Sequence, residues 1–265
     1  MALTHERGPV GGILKPSDNP IGIETAPVLF SGVRPAHFFV TPLTRNQYQE
    51  DKNSCTAHGE TRWIENVARG MGARFQVCRA DVYSGGLYLD GSEGRDVGVT
   101  LGSVRRFIGA GVLSEWERPY KSDDVTRRSD ARLDLRRVRG FAIAGLPKDV
   151  DAIKDALLVS GGVPFGQEVR TNYAPDGQGV VRPPAGTLDG YHDTALEGWD
   201  DDYAGGCFLM ANSWARWGVD HVLADVDARF AHLRGKRGFC WMPYEWINND
   251  GFFEPAYGKG APEVA

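Results

Sequence analysis

The sequence predicts an α+β protein with a helical N-terminal half, an antiparallel β-rich C-terminal half and a cleft between two lobes. Two observations lead there. Apolar residues recur at helical spacing from 55 to about 113 and again in DVDAIKDALLVSGG at 149–162. Beyond 162 the pattern turns to short apolar pieces separated by turn residues, namely VPFGQEVR, HDTALEGW, GGCFLMANSW and RGFCWMPYEWI.

Each element has its own reason. Residues 1–45 are rich in proline and glycine and read as an extended N-terminal arm with strand-forming pieces in APVLF and HFFVTPL. Such an arm either pairs with an edge of the β-rich lobe or lies along the cleft, and its apolar content and low charge favour edge pairing. From Cys55 onward, CTAHGETRWIENVARG puts Ala57, Trp63, Ile64 and Val67 on one helical face and Gly70 at its stop. SVRRFIGAGVL at 103–113 reads as a helix closing on Gly109 or Gly111. In the helix of 149–162, Val150, Ile153, Ala156 and Leu157 share a face, with an aspartate at the start and glycines at the end. The two lobes together span 46–250, an added helix is expected within VDHVLADVDARFAHLRGK at 219–236, and 251–265 form a C-terminal tail.

Composition narrows the function. The 265 residues, 42% of them hydrophobic and seven of them tryptophan, can bury a large core. Thirty basic against 35 acidic residues give a net charge of −5, which argues against nucleic acid or an anionic membrane as partner. The arginine-rich run RRSDARLDLRRVRG at 127–140 is interleaved with aspartates and reads as a salt-bridged surface. No apolar run is long enough to span a bilayer, and MALTHERGPVGG lacks a signal-peptide pattern, so a soluble, cytoplasmic or virion-associated protein is expected. Cys55, Cys78, Cys207 and Cys240 form no disulfide framework or C-x-x-C pair, and no phosphate-cradling loop is present. Neither metal nor cofactor is expected. The acidic run Asp200 to Asp202 lacks an EF-hand pattern and reads as a solvated hairpin.

One cysteine stands out. Cys55 follows the polar stretch QEDKNS at the mouth of a helix, where unpaired N–H groups and the helix dipole favour a thiolate. The β-rich half supplies partners in chain order. His192, in DGYHDTALEGW, can take the thiol proton, and Asn212, in LMANSWARWG, can orient the imidazole through its other nitrogen. Six residues before Cys55, Gln49 can donate to an oxyanion beside the Cys55 N–H. Asp193 follows the histidine on a strand and so points to the opposite face, leaving the orienting role to Asn212. His58 reads as a packed or solvated side chain beside the helix start.

This ordered set resembles the papain-like cysteine peptidases over about 49 to 247. The glutamine six before the nucleophile, the histidine on a strand leading to Gly198-Trp199, and the NSW-x-x-WG motif at 212–218 carry the likeness. The separations of His192 and Asn212 from Cys55 fall near the family's window of roughly 130–150 residues, the second slightly beyond. Departures are equally specific. Lys52 and Thr56 replace the first cysteine and the aromatic of C-G-[SA]-C-[WY], so the family disulfide at that point is absent. The SCTAHG form and the closing GFCWMPYEWI resemble the divergent bacterial and phage branch, which tends to lack a long inhibitory propeptide. The resemblance implies a papain-like two-lobe fold, a Cys-His-Asn triad, and hydrolysis of peptide or isopeptide bonds in a peptide or protein substrate. It also places Gly98 where a backbone pairs with extended substrate, Tyr191 on the leaving-group side and Trp214 over the His–Asn contact. Gly98 reads equally as a simple turn, and Trp214 as core packing. The competing reading is a non-catalytic structural or binding subunit of a bacterial or phage assembly such as a virion, since a scaffold alone does not fix function.

Overall fold

The computed structural model describes residues 12–14, 30–41, 43–120, 124–215, 217–219, 222, 228–233 and 237–260. Among these residues five α-helices and eight strands follow in the order β1 (His37–Phe39), α1 (Cys55–Gly59), α2 (Arg62–Gly70), α3 (Arg79–Leu89), α4 (Leu101–Ala110), β2 (Ala142–Gly145), α5 (Val150–Val159), β3 (Val163–Arg170), β4 (Leu188–Asp200), β5 (Cys207–Ala211), β6 (Phe239–Pro243), β7 (Phe252–Phe253) and β8 (Ala256–Lys259). The predicted α+β class is the observed one.

Helix boundaries follow local chemistry. Asp149 caps α5 by accepting the Ala152 N–H at 2.8 Å, and α4 ends before Gly111, whose φ of 119° lies outside the range most side chains tolerate. The expected single helix from Cys55 is two. It breaks at Glu60 and Thr61, where Glu60 turns into a buried ion pair and the Thr61 hydroxyl donates to the Ala57 carbonyl at 2.6 Å. In the 219–236 insertion Ala228–Leu233 form a 3-10 helix, Val219 and Val222 are buried in the sheet core, and the other residues lie outside the described ones. The arginine run forms a 3-10 turn, Ala131–Arg136, and its pairs include Arg136 with Glu117 and Arg137 with Asp81.

The main sheet is antiparallel throughout, in the order β6-β5-β4-β3-β7, with β1 pairing the far end of β4. That pairing sets His37 to Phe39 against Asp200 to Gly198, the edge pairing expected of HFFVTPL. APVLF at 26–30 lies almost wholly outside the described residues. Residues 252–259, assigned to the tail by the sequence reading, instead build β7 against β3 and β8 against β2. Buried Ala256 and Tyr257 gave that segment more apolar material than a tail needs.

Two hydrophobic cores result. One surrounds the sheet with Phe165, Trp199, Phe208, Trp241 and Trp246, and the other fills the helical lobe with Trp63, Ile64, Val82, Leu87 and Ile108. A third, small cluster of Ile13, Cys55 and Leu101 sits between them, flanked by Tyr191 and Phe253. The lobes are joined by a buried ion pair. Arg62 at the start of α2 donates to both carboxylate oxygens of Glu197 at 2.5 and 2.8 Å, and to the Arg45 and Thr44 carbonyls, each at 3.1 Å. Glu197 sits where the β4–β5 register slips between Leu196 and Gly198, and Asn66 adds a bond to it at 3.0 Å.

Removing one partner of a buried pair strands the other charge. Glu197→Ala is expected to cost roughly 3–5 kcal/mol of stability, read from urea unfolding; a loss below about 1 kcal/mol, the range of exposed pairs, would remove Arg62–Glu197 from the lobe contact.

Candidate active site

Cys55 opens α1 and is fully buried. The residue before it, Ser54, does not cap the helix with its side chain; its hydroxyl meets the Tyr120 hydroxyl at 2.7 Å. Tyr120 in turn donates to the Gln49 carbonyl at 3.0 Å, which fixes the loop carrying Gln49 relative to the helix start. The Gln49 amide is held at both ends. Its nitrogen donates to the Lys52 carbonyl at 2.7 Å and its oxygen accepts from the Ser213 hydroxyl at 2.6 Å. An amide nitrogen carries two hydrogens, so one of them is left after the Lys52 bond. Ser213 and Tyr120 were not singled out by sequence; Ser213 lies inside the NSW motif, but nothing local marks Tyr120.

His192 and Asn212 meet across adjacent strands. Buried His192 on β4 has Nε2 at 2.8 Å from Asn212 Oδ1, just past the end of β5. The Trp214 backbone N–H donates to the same Oδ1 at 3.2 Å. A backbone N–H only donates, so the atom facing His192 is the amide oxygen, and Nε2 must carry the ring hydrogen. Nδ1 is then a bare acceptor, and it is buried without a hydrogen-bond partner among the described residues. The Trp214 ring stacks on His192 at 4.3 Å with an interplanar angle of 29°. Tyr191, one residue earlier on β4, packs against the cluster that holds Cys55. His58 is buried, with Nδ1 at 3.0 Å from the Ser54 carbonyl and its ring edge-on to Tyr120.

The arm does more than pair with a sheet edge. Gly12 to Leu14 lie beside Val99 as a parallel bridge, with the Val99 N–H donating to the Gly12 carbonyl and the Leu14 N–H to the Val99 carbonyl, both at 3.1 Å. Pairing therefore falls on Val99, while the neighbouring Gly98, at φ 79°, donates to the Tyr83 hydroxyl at 3.2 Å. Gly12 rests on Cys55. A side-chain carbon there would collide with Cys55 Sγ and come within 3.0 Å of the Asn53 carbonyl. Edge pairing thus describes only the second half of the arm, because an in-cleft strand needs a partner edge at Val99 that is remote in sequence.

Burial under this strap sets the protonation states. Desolvation pushes the Cys55 thiol well above its ordinary value, and a charge on Asp193 adds to that; the backbone amides of Asp193, Thr56 and Cys55 pull the other way. Desolvation also lowers His192 to about 4, partly offset by Asn212. The resting pair is a neutral thiol and a neutral imidazole. The thiolate expected from the helix terminus is not favoured here, because α1 is only five residues long and the sulfur is sealed from water.

A cysteine at a helix start in one lobe and a His–Asn pair on the sheet of the other are the arrangement of the papain-like fold. Xylellain, a cysteine protease from Xylella fastidiosa, is similar with a TM-score of 0.77 and 20% identity, covering 97% of this chain and 98% of that one. Procathepsin B S9 from Trypanosoma congolense gives 0.68 and 17%, over 91% and 84% of the two chains. Digestive procathepsin L2 from the larval midgut of Tenebrio molitor gives 0.69 and 17%, over 95% and 78%. No family model matches the sequence, and no curated protein matches it significantly. At these identities the likeness establishes the fold.

Two expectations follow. Gly12→Trp in the full chain should displace the strap at an overpacking cost of roughly 1–3 kcal/mol and speed iodoacetamide labelling of Cys55 at least about fivefold; an unchanged rate would show that Gly12 does not seat there. Because His192 titrates at about 4 when folded and near 6.5 when unfolded, the unfolded state binds the extra proton between those values. His192 therefore lowers stability as pH falls from 6.5 towards 4, and His192→Gln should lose less stability over that window in urea melts.

Proposed function

We propose that the chain is a cysteine peptidase hydrolysing peptide or isopeptide bonds. The observation that carries this is the His192 ring, fixed by Asn212 with its bare Nδ1 buried, on a strand whose next residue, Asp193, lies against the helix that Cys55 opens. The similar structures bear the names of cysteine proteases and cathepsins, which supports the same reading.

With substrate in place of the strap, Nδ1 takes the Cys55 proton and the sulfur attacks the scissile carbonyl carbon. The oxyanion is met by the Cys55 N–H and the second hydrogen of the Gln49 amide. The imidazolium, stabilised through Nε2 by Asn212, gives its proton to the leaving amine and the C–N bond breaks, leaving a thioester. Water then attacks with His192 as base, and the acid product leaves as the thiol is restored. Extended substrate pairs with the Val99 backbone where Gly12 to Leu14 now lie, so the resting chain is latent.

A covered thiol equally suits a structural subunit whose site stays sealed, and turnover separates the two readings. Hydrolysis of a peptide library by the Gly12→Trp chain, absent in the same chain with Cys55→Ala, supports the peptidase; no cleavage by either supports the subunit. Within the active chain Gln49→Ala should lower kcat by about 10²–10³. Asn212→Ala should cost less than His192→Ala, because the base survives when its orienter is lost.

A further inference from the structure

Directly after His192, Asp193 is fully buried, and both of its carboxyl oxygens are closed off from solvent without a hydrogen-bond partner among the described residues. It faces α1. A side-chain carbon on Gly59, four residues from Cys55 and so on the same side of that helix, would collide with Asp193 Oδ1 and stand 3.1 Å from the Thr194 N–H. The carboxyl is wedged under the helix that Cys55 opens, and its charge acts on the thiol.

Around it the charges are unevenly matched. Glu60 at the end of α1, Arg105 on α4 and Glu254 between β7 and β8 all act on Asp193. Arg105 is committed to Glu60 Oε1 through Nε at 2.8 Å and Nη2 at 2.6 Å, and to the Glu254 carbonyl at 2.7 Å. Glu60 Oε2 has no partner among the described residues. On the other side Asp193 shares a cavity of about 10 Å³ with His58, Arg62 and Arg79. Arg62 is bound to Glu197, His58 is held neutral by burial, and Arg79 pairs with Glu65 through Nη1 at 2.8 Å; of the cations here only Arg105 acts on Asp193. One arginine thus serves three carboxyls, and the sealed one keeps its proton.

We propose that Asp193 is a positioning residue of the site, a carboxyl locked between α1 and the Glu60–Arg105–Glu254 cluster whose charge state decides whether Cys55 can be held as a thiolate. As a neutral acid it leaves the thiolate to the backbone amides that favour it. Once ionised it places a negative charge beside the sulfur and opposes the thiolate. Burial and the Glu60 charge, which both raise Asp193 well above the ordinary carboxylate range, keep it in the permissive form. The inference rests on the nucleophile reading of Cys55.

The test is the pH profile of iodoacetamide labelling of each cysteine in the full chain, followed by mass spectrometry. Labelling of buried Cys55 proceeds through an opened form, so access scales the rate and ionisation shapes its pH dependence. Asp193→Asn, which cannot ionise, should match the native chain at pH 7, where Asp193 holds its proton, and label Cys55 faster, by about tenfold for one pKa unit, once alkaline pH ionises the native Asp193. Glu60→Gln frees Arg105 to draw the proton off Asp193, so at pH 7 Cys55 should label about tenfold more slowly. Adding Asp193→Asn to Glu60→Gln should restore the rate, which repair of a merely structural defect would not do. Superimposable native and Asp193→Asn profiles, or no rescue in the double variant, overturn the proposal; should Glu60→Gln not fold, the Asp193→Asn profile alone decides. If Cys55 labels no faster than Cys78, Cys207 and Cys240 in every chain, the nucleophile reading itself falls and takes this proposal with it.

Discussion

The Arg62–Glu197 pair is the constraint on which the site depends. Cys55 and Arg62 are separated by one short helix and its break, and Glu197 lies five residues along β4 from His192. Clamping Arg62 to Glu197 therefore fixes the helix of Cys55 against the strand of His192. The pair is buried, so its desolvation cost is large, and it is met by unusually complete hydrogen bonding: two carboxylate bonds, two backbone carbonyls and the Asn66 amide. A register slip in the sheet is what turns Glu197 towards α2. Shape here is set by a polar contact, while the two apolar cores supply the stability of each lobe.

Around that clamp, desolvation governs chemistry. Water is excluded from Cys55 by Ile13, Leu101 and the backbone of the strap, and from His192 by the Trp214 ring. Both groups are consequently neutral at rest. An ion pair between them would need water or another polar group to reach the sulfur, and the strap keeps these out.

The residues of the site were legible because their signals are local. Gln49 stands a fixed six residues before Cys55, Asn212 opens a dense tryptophan motif, and His192 sits on a strand whose alternation was plain. The strands β3 to β6 were legible for the same reason, as alternating or continuous apolar runs between turns. What escaped the sequence was non-local. The break at Glu60 exists because Arg105, 45 positions away, draws the carboxylate inward. The strap exists because Val99 offers an edge that no property of Gly12 announces. Asp193 was rightly turned away from Asn212 by strand alternation, but that rule does not say what waits on the other face, which is the glycine that ends α1.

The arm is attached twice, through Gly12 to Leu14 beside Val99 and through β1 on the edge of β4. Chain connectivity makes the strap a tethered ligand for its own groove, with a local concentration on the order of millimolar for a short connection. Its occupancy is accordingly independent of how dilute the protein is. A weakly binding peptide in solution competes poorly against it, whereas a single cut between the two attachments would turn the strap into an ordinary ligand that dilution removes.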